Sequence, residues 1–140
     1  MDADEEAVAR ANQGFYLAFE SLEIARMEKC WLRENYVQCF HPGWGILRGW
    51  DPVMTSWRRI FENTPEMSLV LTEPRVEVRG SLAWVTLYEN ISSRMGEETI
   101  EGVVVATNVF EKRDGKWLMI LHHGSSVVRP PSDPEPSTVH

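Results

Sequence analysis

Residues 111–125 read Glu-Lys-Arg-Asp-Gly-Lys-Trp-Leu-Met-Ile-Leu-His-His-Gly-Ser, a turn with a long strand on either side. Asp114-Gly115 tolerates the positive φ that a tight hairpin requires. The strand before the turn spans 99–112 and the strand after it 117–126. Val103, Val105 and Val109 alternate with Val104, Ala106 and Phe110, and Trp117, Met119 and Leu121 alternate with Leu118 and Ile120. A hairpin with one wet face would alternate apolar with polar residues. This one is apolar on both faces, which predicts a sheet covered on both sides.

Upstream of the hairpin, two more strands are expected over 68–78 and 82–92, joined by Arg79-Gly80-Ser81. Before them lie three helical patterns. Ala7, Ala11, Phe15, Ala18 and Leu22 recur at helical steps over 4–20. Ser21 can cap a shorter helix carrying Ile24, Met27 and Trp31. Asp51-Pro52 suits a helix start, with Asp51 as cap and Pro52 at the first position, on a helix carrying Val53, Trp57, Ile60 and Phe61. A short strand over 36–40 ends at His41-Pro42, and 43–50 reads as a loop or small hairpin. Helices followed by an antiparallel meander give an α+β fold class. One domain is expected over 1–128, followed by a Pro-rich tail over 129–140 with too little apolar content to fold.

The chain has 140 residues and a net charge of −7. That charge disfavours nucleic acid and anionic membranes as partners. No apolar run approaches the ~18 residues of a membrane span. The acidic N-terminus is unlike a signal peptide, and Cys30 and Cys39 lack disulfide-scaffold spacing. A cytoplasmic protein with reduced thiols is the expectation. The sequence carries no phosphate loop, nucleophile elbow or dinucleotide fingerprint, so no cofactor is expected. No metal is expected either, because adjacent strand residues His122 and His123 point to opposite faces and cannot converge on one ion.

Strand alternation sorts the remaining candidates. Val85, Leu87, Val105, Val109, Trp117, Met119 and Leu121 form one face that the helices cannot also cover. A second copy of the chain, packed sheet to sheet, is the expected partner. The opposite face holds Trp84, Thr86, Tyr88, Asn90, Asn108, Phe110, Leu118, Ile120 and His122. Aromatic bodies with a few polar tips suit a pocket for a small apolar or aromatic molecule. A one-residue bulge between Trp117 and His122 would exchange the two histidines.

Cys39-Phe40-His41-Pro42-Gly43-Trp44, Gly49-Trp50 and the helix after it, and Arg113-Asp114-Gly115-Lys116-Trp117 with His123 and Ser125 together resemble the nuclear transport factor 2-like superfamily, including SnoaL-like proteins. The last group is similar to the association domain of calcium/calmodulin-dependent kinase II. The resemblance implies a cone-shaped α+β barrel, with helices on a strongly curved sheet, a pocket at the wide end and a dimer through the outer sheet face. It places His41 where ketosteroid isomerase has its general base, and Tyr16 near an oxyanion-stabilising tyrosine. It makes Trp57 a ligand-stacking residue. Association domains carry basic residues at positions resembling Asn90, Asn108 and Gly124; none is basic here, so an anionic ligand of that type is not expected. The expected function is a homodimeric small-molecule-binding protein. One alternative is an acid–base isomerase, cyclase or dehydratase using His41, with Tyr16 or His122 as polariser, although no carboxylate base stands out because Asp51 reads as a helix cap. The other alternative is an oligomerisation module with a vestigial pocket.

Overall fold

The structure, a computed structural model, describes residues 1–128; the tail expected over 129–140 lies outside the described residues. Helices α1 (Ala3–Ser21) and α2 (Ile24–Cys30) are followed by β1 (Gln38–Phe40), β2 (Leu47–Arg48), α3 (Trp50–Glu62), β3 (Glu66–Arg79), β4 (Leu82–Met95), β5 (Glu98–Arg113) and β6 (Lys116–Ser126). The sheet order is β2-β1-β6-β5-β4-β3. All neighbours are antiparallel except β1 and β6. The sheet curls around α1 without closing, giving the cone-shaped α+β architecture with open edges at β2 and β3.

Local chemistry explains the element ends. Asp2 caps α1 by accepting from the Glu5 N–H, and the Glu5 carboxylate accepts from the Asp2 N–H in return. This capping box satisfies two orphan donors, and the acidic first turn complements the helix dipole. Helix α3 starts two residues earlier than its Asp-Pro pair suggests. Gly49 occupies the cap at φ 97°, and Asp51 makes no cap bond. The Gly49 N–H donates to the Val37 carbonyl at 2.8 Å, which ties the helix start to the entrance of β1. Only glycine takes that φ without strain. Ser21 does not cap α2 either; Glu23 holds that position, and the Ser21 hydroxyl donates back to Ala18.

Two bulges govern the sheet. In β3 the register slips between Thr72 and Arg75, where Glu73 has φ 55° and Pro74 follows. Proline cannot donate to a ladder, so an edge-strand bulge accommodates it. Between β5 and β6 the register slips as well: Val109 faces Leu121, but Phe110 faces Met119, leaving Ile120 as the extra residue.

The second bulge and the position of α1 correct the expected faces. On β4 the buried row is Ala83, Val85, Leu87 and Glu89, so Val85 and Leu87 belong to the core and not to the outer face. Trp84, Tyr88 and Asn90 stand on the outer face instead of lining an interior pocket. On β6, Trp117 and Met119 are buried against the helices, whereas Leu118 and Ile120 alternate away from them. Beyond Ile120 the bulge resets the phase, so His122 is buried and His123 exposed. Both strands carry apolar residues on both faces. Alternation therefore gives the period but not which phase the helices cover.

Candidate functional site

Helix α1 crosses the inner face of the sheet and buries Val8, Asn12, Phe15, Tyr16 and Phe19. Two of its side chains, Asn12 and Tyr16, meet the polar residues of the inner rows. The Tyr16 hydroxyl donates to Glu89 Oε2 at 2.5 Å. Asn108 Nδ2 donates to Tyr16 Oη at 3.0 Å and to Asn12 Oδ1 at 2.9 Å. His122 Nδ1 lies 2.6 Å from Asn108 Oδ1. Because Asn108 uses its amide nitrogen toward Asn12 and Tyr16, its oxygen accepts, and His122 carries its proton on Nδ1. The chain of bonds thus runs Glu89–Tyr16–Asn108–His122, with Asn12 as a branch.

Glu89 is 2% exposed. Loss of solvation pushes its carboxyl up to about 7, partly opposed by the Tyr16 hydrogen bond. The phenol in turn is raised above its ordinary value by burial and by the neighbouring carboxylate, so its proton stays committed to Glu89. Glu89 is a carboxylate poised near neutrality, and the sequence reading had no such group. Its signal was present: Glu89 is in phase with Ala83, Val85 and Leu87, a charge at the end of an otherwise apolar row. A charge in that row needs a partner or a function.

His41 follows β1 and is buried beside Trp57 (ring centroids 4.7 Å apart) and Trp44 (5.0 Å). Ser56 Oγ donates to the Val53 carbonyl at 2.6 Å, so it accepts from His41 Nε2 at 2.8 Å. That fixes the tautomer and leaves His41 Nδ1 as an acceptor. Burial lowers His41 to about 4. His122 falls to about 3 through burial and the two nearby histidines. Both imidazoles are therefore neutral at pH 7, and their rings are 6.4 Å apart. Cys39, on β1 between them, has its thiol pushed up by burial and by Glu89, so it is an inert core thiol. Gly124 permits this arrangement: a Cβ there would meet Val104 at 3.0 Å and Pro42 at 3.5 Å. Pro42 can lie over β6, with His41 beside it, only because the position is bare.

The structure brings together Tyr16, His41, Trp57, Asn108 and His122. It does not bring Trp84, Tyr88 or Asn90 to them. Trp84 is partly exposed under Arg79, and Asn90 donates to the Val70 carbonyl and to Thr72 across the outer face. Two cavities touch the ends of the buried cluster. One, of about 400 Å³, lies beside Trp44, Leu47 and α3 and reaches Ser56. The other, of about 500 Å³, lies between α1 and β3 and reaches Asn12. Among the described residues no group of three or more His, Cys, Asp or Glu is gathered for a metal, and no helix is long and apolar enough to cross a membrane.

The model of the SnoaL-like domain matches residues 8–130. The chain belongs to the SnoaL-like domain family. This SnoaL-like chain is 36% identical to a nuclear transport factor 2-like protein of Streptomyces avermitilis designated provisionally as a dehydratase, over 91% of this chain and 99% of that one, with a TM-score of 0.86. It is 28% identical to a provisional calcium/calmodulin-dependent protein kinase II association domain from Thiobacillus denitrificans, over 84% of this chain and 93% of that one, with a TM-score of 0.73. It is also 28% identical over 121 residues to the F-box protein SKIP8 of Arabidopsis thaliana, covering 85% of this chain. The SnoaL-like chain spans about half the length of that curated relative, 49%.

Proposed function

We propose that this protein binds a small, largely apolar molecule against the Glu89–Tyr16–Asn108–His122 cluster and acts on it by proton transfer, as a dehydratase or isomerase does. The observation that carries the reading is Glu89, a buried carboxyl held near neutrality. A general base works best with its pKa close to the working pH. His41 Nδ1 and His122 Nε2 are neutral acceptors in the same core, suited to receive or relay a proton. In a dehydration, one group would take a proton from carbon and another would protonate the departing hydroxyl, releasing water. Tyr16 serves Glu89 in this scheme by holding its carboxylate, not by facing a ligand. The buried Trp57 indole N–H has no hydrogen-bond partner among the described residues. Leaving such a donor unpaired costs about 1–3 kcal/mol, which a ligand acceptor would recover. The dehydratase designation of the Streptomyces relative agrees with this chemistry.

The protein would act as a homodimer. Tyr88, Val103, Val105, Thr107, Val109 and His123 lie together on the outer face, beside a Phe40–His123 stack with ring centroids 4.5 Å apart. Val105 is 43% exposed and Val70 62%. A second copy would cover this surface. The likeness to an association domain supports an assembly role that the same dimer could serve.

Two measurements test the reading. Titration of the Glu89 side-chain carboxyl by carbon-detected NMR should give a midpoint near neutrality, and a midpoint in the ordinary carboxylate range would remove the base. Mass spectrometry of small molecules released from the purified protein should find an apolar compound retained by wild type and lost on Trp57→Ala.

A further inference from the structure

The cavity of about 400 Å³ beside α3 has two features that the buried cluster lacks, an exposed aromatic ring and an unpaired cation. Asp51, Thr55 and Arg59 line it from α3 at four-residue steps, which puts them on one face of the helix. Val53, Trp57 and Phe61 form the opposite, buried face. Trp44 and Leu47 line the cavity from the loop and from β2. Among the described residues neither Asp51 nor Arg59 is in an ion pair. At about 1.5 Å per residue they stand about 12 Å apart along the helix axis, too far to neutralise each other. The neighbouring Arg58 is engaged with Glu28 at 3.5 Å, so Arg59 is the cation of this cavity.

Local structure holds the aromatic side in place. Gly43 turns at φ 82°, which glycine tolerates, and the Trp44 N–H donates to the His41 carbonyl at 2.9 Å. Leu47 pairs with Cys39 in the β1–β2 ladder. The Trp44 ring is nevertheless 41% exposed. A fixed apolar ring open to solvent beside a free guanidinium suits a ligand with an apolar body and a carboxylate. The ring covers the body, and the planar guanidinium donates two parallel N–H bonds to the carboxylate oxygens. Asp51 repels a carboxylate at the other end, so it sets the direction in which such a ligand lies.

We propose that this cavity binds an apolar or aromatic carboxylic acid, with its carboxylate on Arg59 and its body on Trp44, Leu47 and Pro52. The site is additional to the acid–base reading, because the buried cluster contains no cation to hold an anion. Two of the cavity's walls touch His41: Trp44 through a ring contact at 5.0 Å, and Ser56 through a hydrogen bond at 2.8 Å. A carboxylic acid bound here therefore alters the surroundings of His41 from outside the core.

The test uses the nitrogen-labelled full chain with two probes of nearly equal shape, 2-naphthoate and the uncharged 2-naphthamide. 2-Naphthoate at millimolar concentration should move the Trp44 indole N–H, the backbone amides of Thr55 and Arg59, and the His41 ring signals. 2-Naphthamide should bind at least about tenfold more weakly, through loss of the charge-assisted contact. Arg59→Gln should bring 2-naphthoate down to the level of the amide, and Arg59 is exposed, so this variant should fold. Trp44→Ala should weaken both probes. Equal binding of the two probes, or 2-naphthoate binding unchanged by Arg59→Gln, would overturn the proposal, as would silence from the Trp44, Thr55 and Arg59 signals. Binding that leaves the His41 ring unmoved would overturn the link to the buried cluster. Shifts confined to Ala9, Gln13 and Val76 would put the ligand on the α1 side and overturn this site. Movement of the Trp44 and Arg59 signals on deleting residues 129–140, with no probe present, would give the cavity to the chain's own C-terminal segment and overturn a small-molecule occupant. The Glu89 titration needs no ligand, so it decides the acid–base reading separately.

Discussion

Glu89→Gln gives the sharpest physical test of the buried cluster. Burial raises the Glu89 carboxyl from 4.5 to about 7 in the folded chain. Between those values the native state binds a proton that the unfolded chain has released. Stability therefore falls as pH rises through this window, and the contribution present below 4.5 is gone above about 7. At 1.36 kcal/mol per unit, a shift of this size corresponds to about 3 kcal/mol. Glutamine cannot ionise but still accepts from Tyr16. The stability of Glu89→Gln relative to wild type should thus be flat below about pH 4.5, climb through the window and level off above pH 7–8, with a total rise of about 3 kcal/mol. Urea unfolding at a series of pH values measures it. Taking the difference between the two proteins matters, because His41 and His122 titrate in the opposite sense. Their folded values lie below the ordinary 6.5, so they favour the fold above that pH and lose the contribution as pH falls toward about 4 and about 3. They cancel in the comparison. A flat difference from pH 4 to 9 would show that Glu89 is solvated in the folded protein and would refute the burial argument.

Tyr16→Phe removes the hydrogen bond that opposes the rise at Glu89, so the Glu89 titration midpoint should move higher still; an unchanged midpoint would separate the two groups. Ser56→Ala leaves the His41 Nε2–H without its acceptor and should cost about 1–3 kcal/mol in urea unfolding, with little change in shape. Val105→Glu is compatible with a folded single chain, since Val105 is 43% exposed, but would place a charge in the proposed dimer face. Light scattering should report the dimer mass for wild type and the single-chain mass for the variant; one mass for both would move the interface elsewhere. Gly124→Ala should push Val104 and Pro42 apart and destabilise the seat of His41, measurable as a lower melting temperature and a shifted His41 resonance.

Much of the architecture was legible in the chain. The three helical patterns, the Asp114-Gly115 hairpin and the strand periods follow from local rules of spacing and turn chemistry, and each appears within a few residues of its expected place. The meeting of Asn108 with His122 was also expected, but the structure reaches it by another route. The lower part of β6 has the phase opposite to the one assigned, and the Ile120 bulge then restores His122 to the interior. A bulge adds one residue without leaving a mark in composition, so periodicity cannot count it. Tertiary structure alone decided which face of β4 is the core. Trp84 and Tyr88 are as apolar as Val85 and Leu87, and only the docking of α1 breaks that tie. The same docking turned Glu89 from an unremarked strand residue into the buried carboxylate of the site. Its ionisation depends on how completely Tyr16, Val104 and the helix exclude water, a property of the assembled fold that no local stretch of sequence contains.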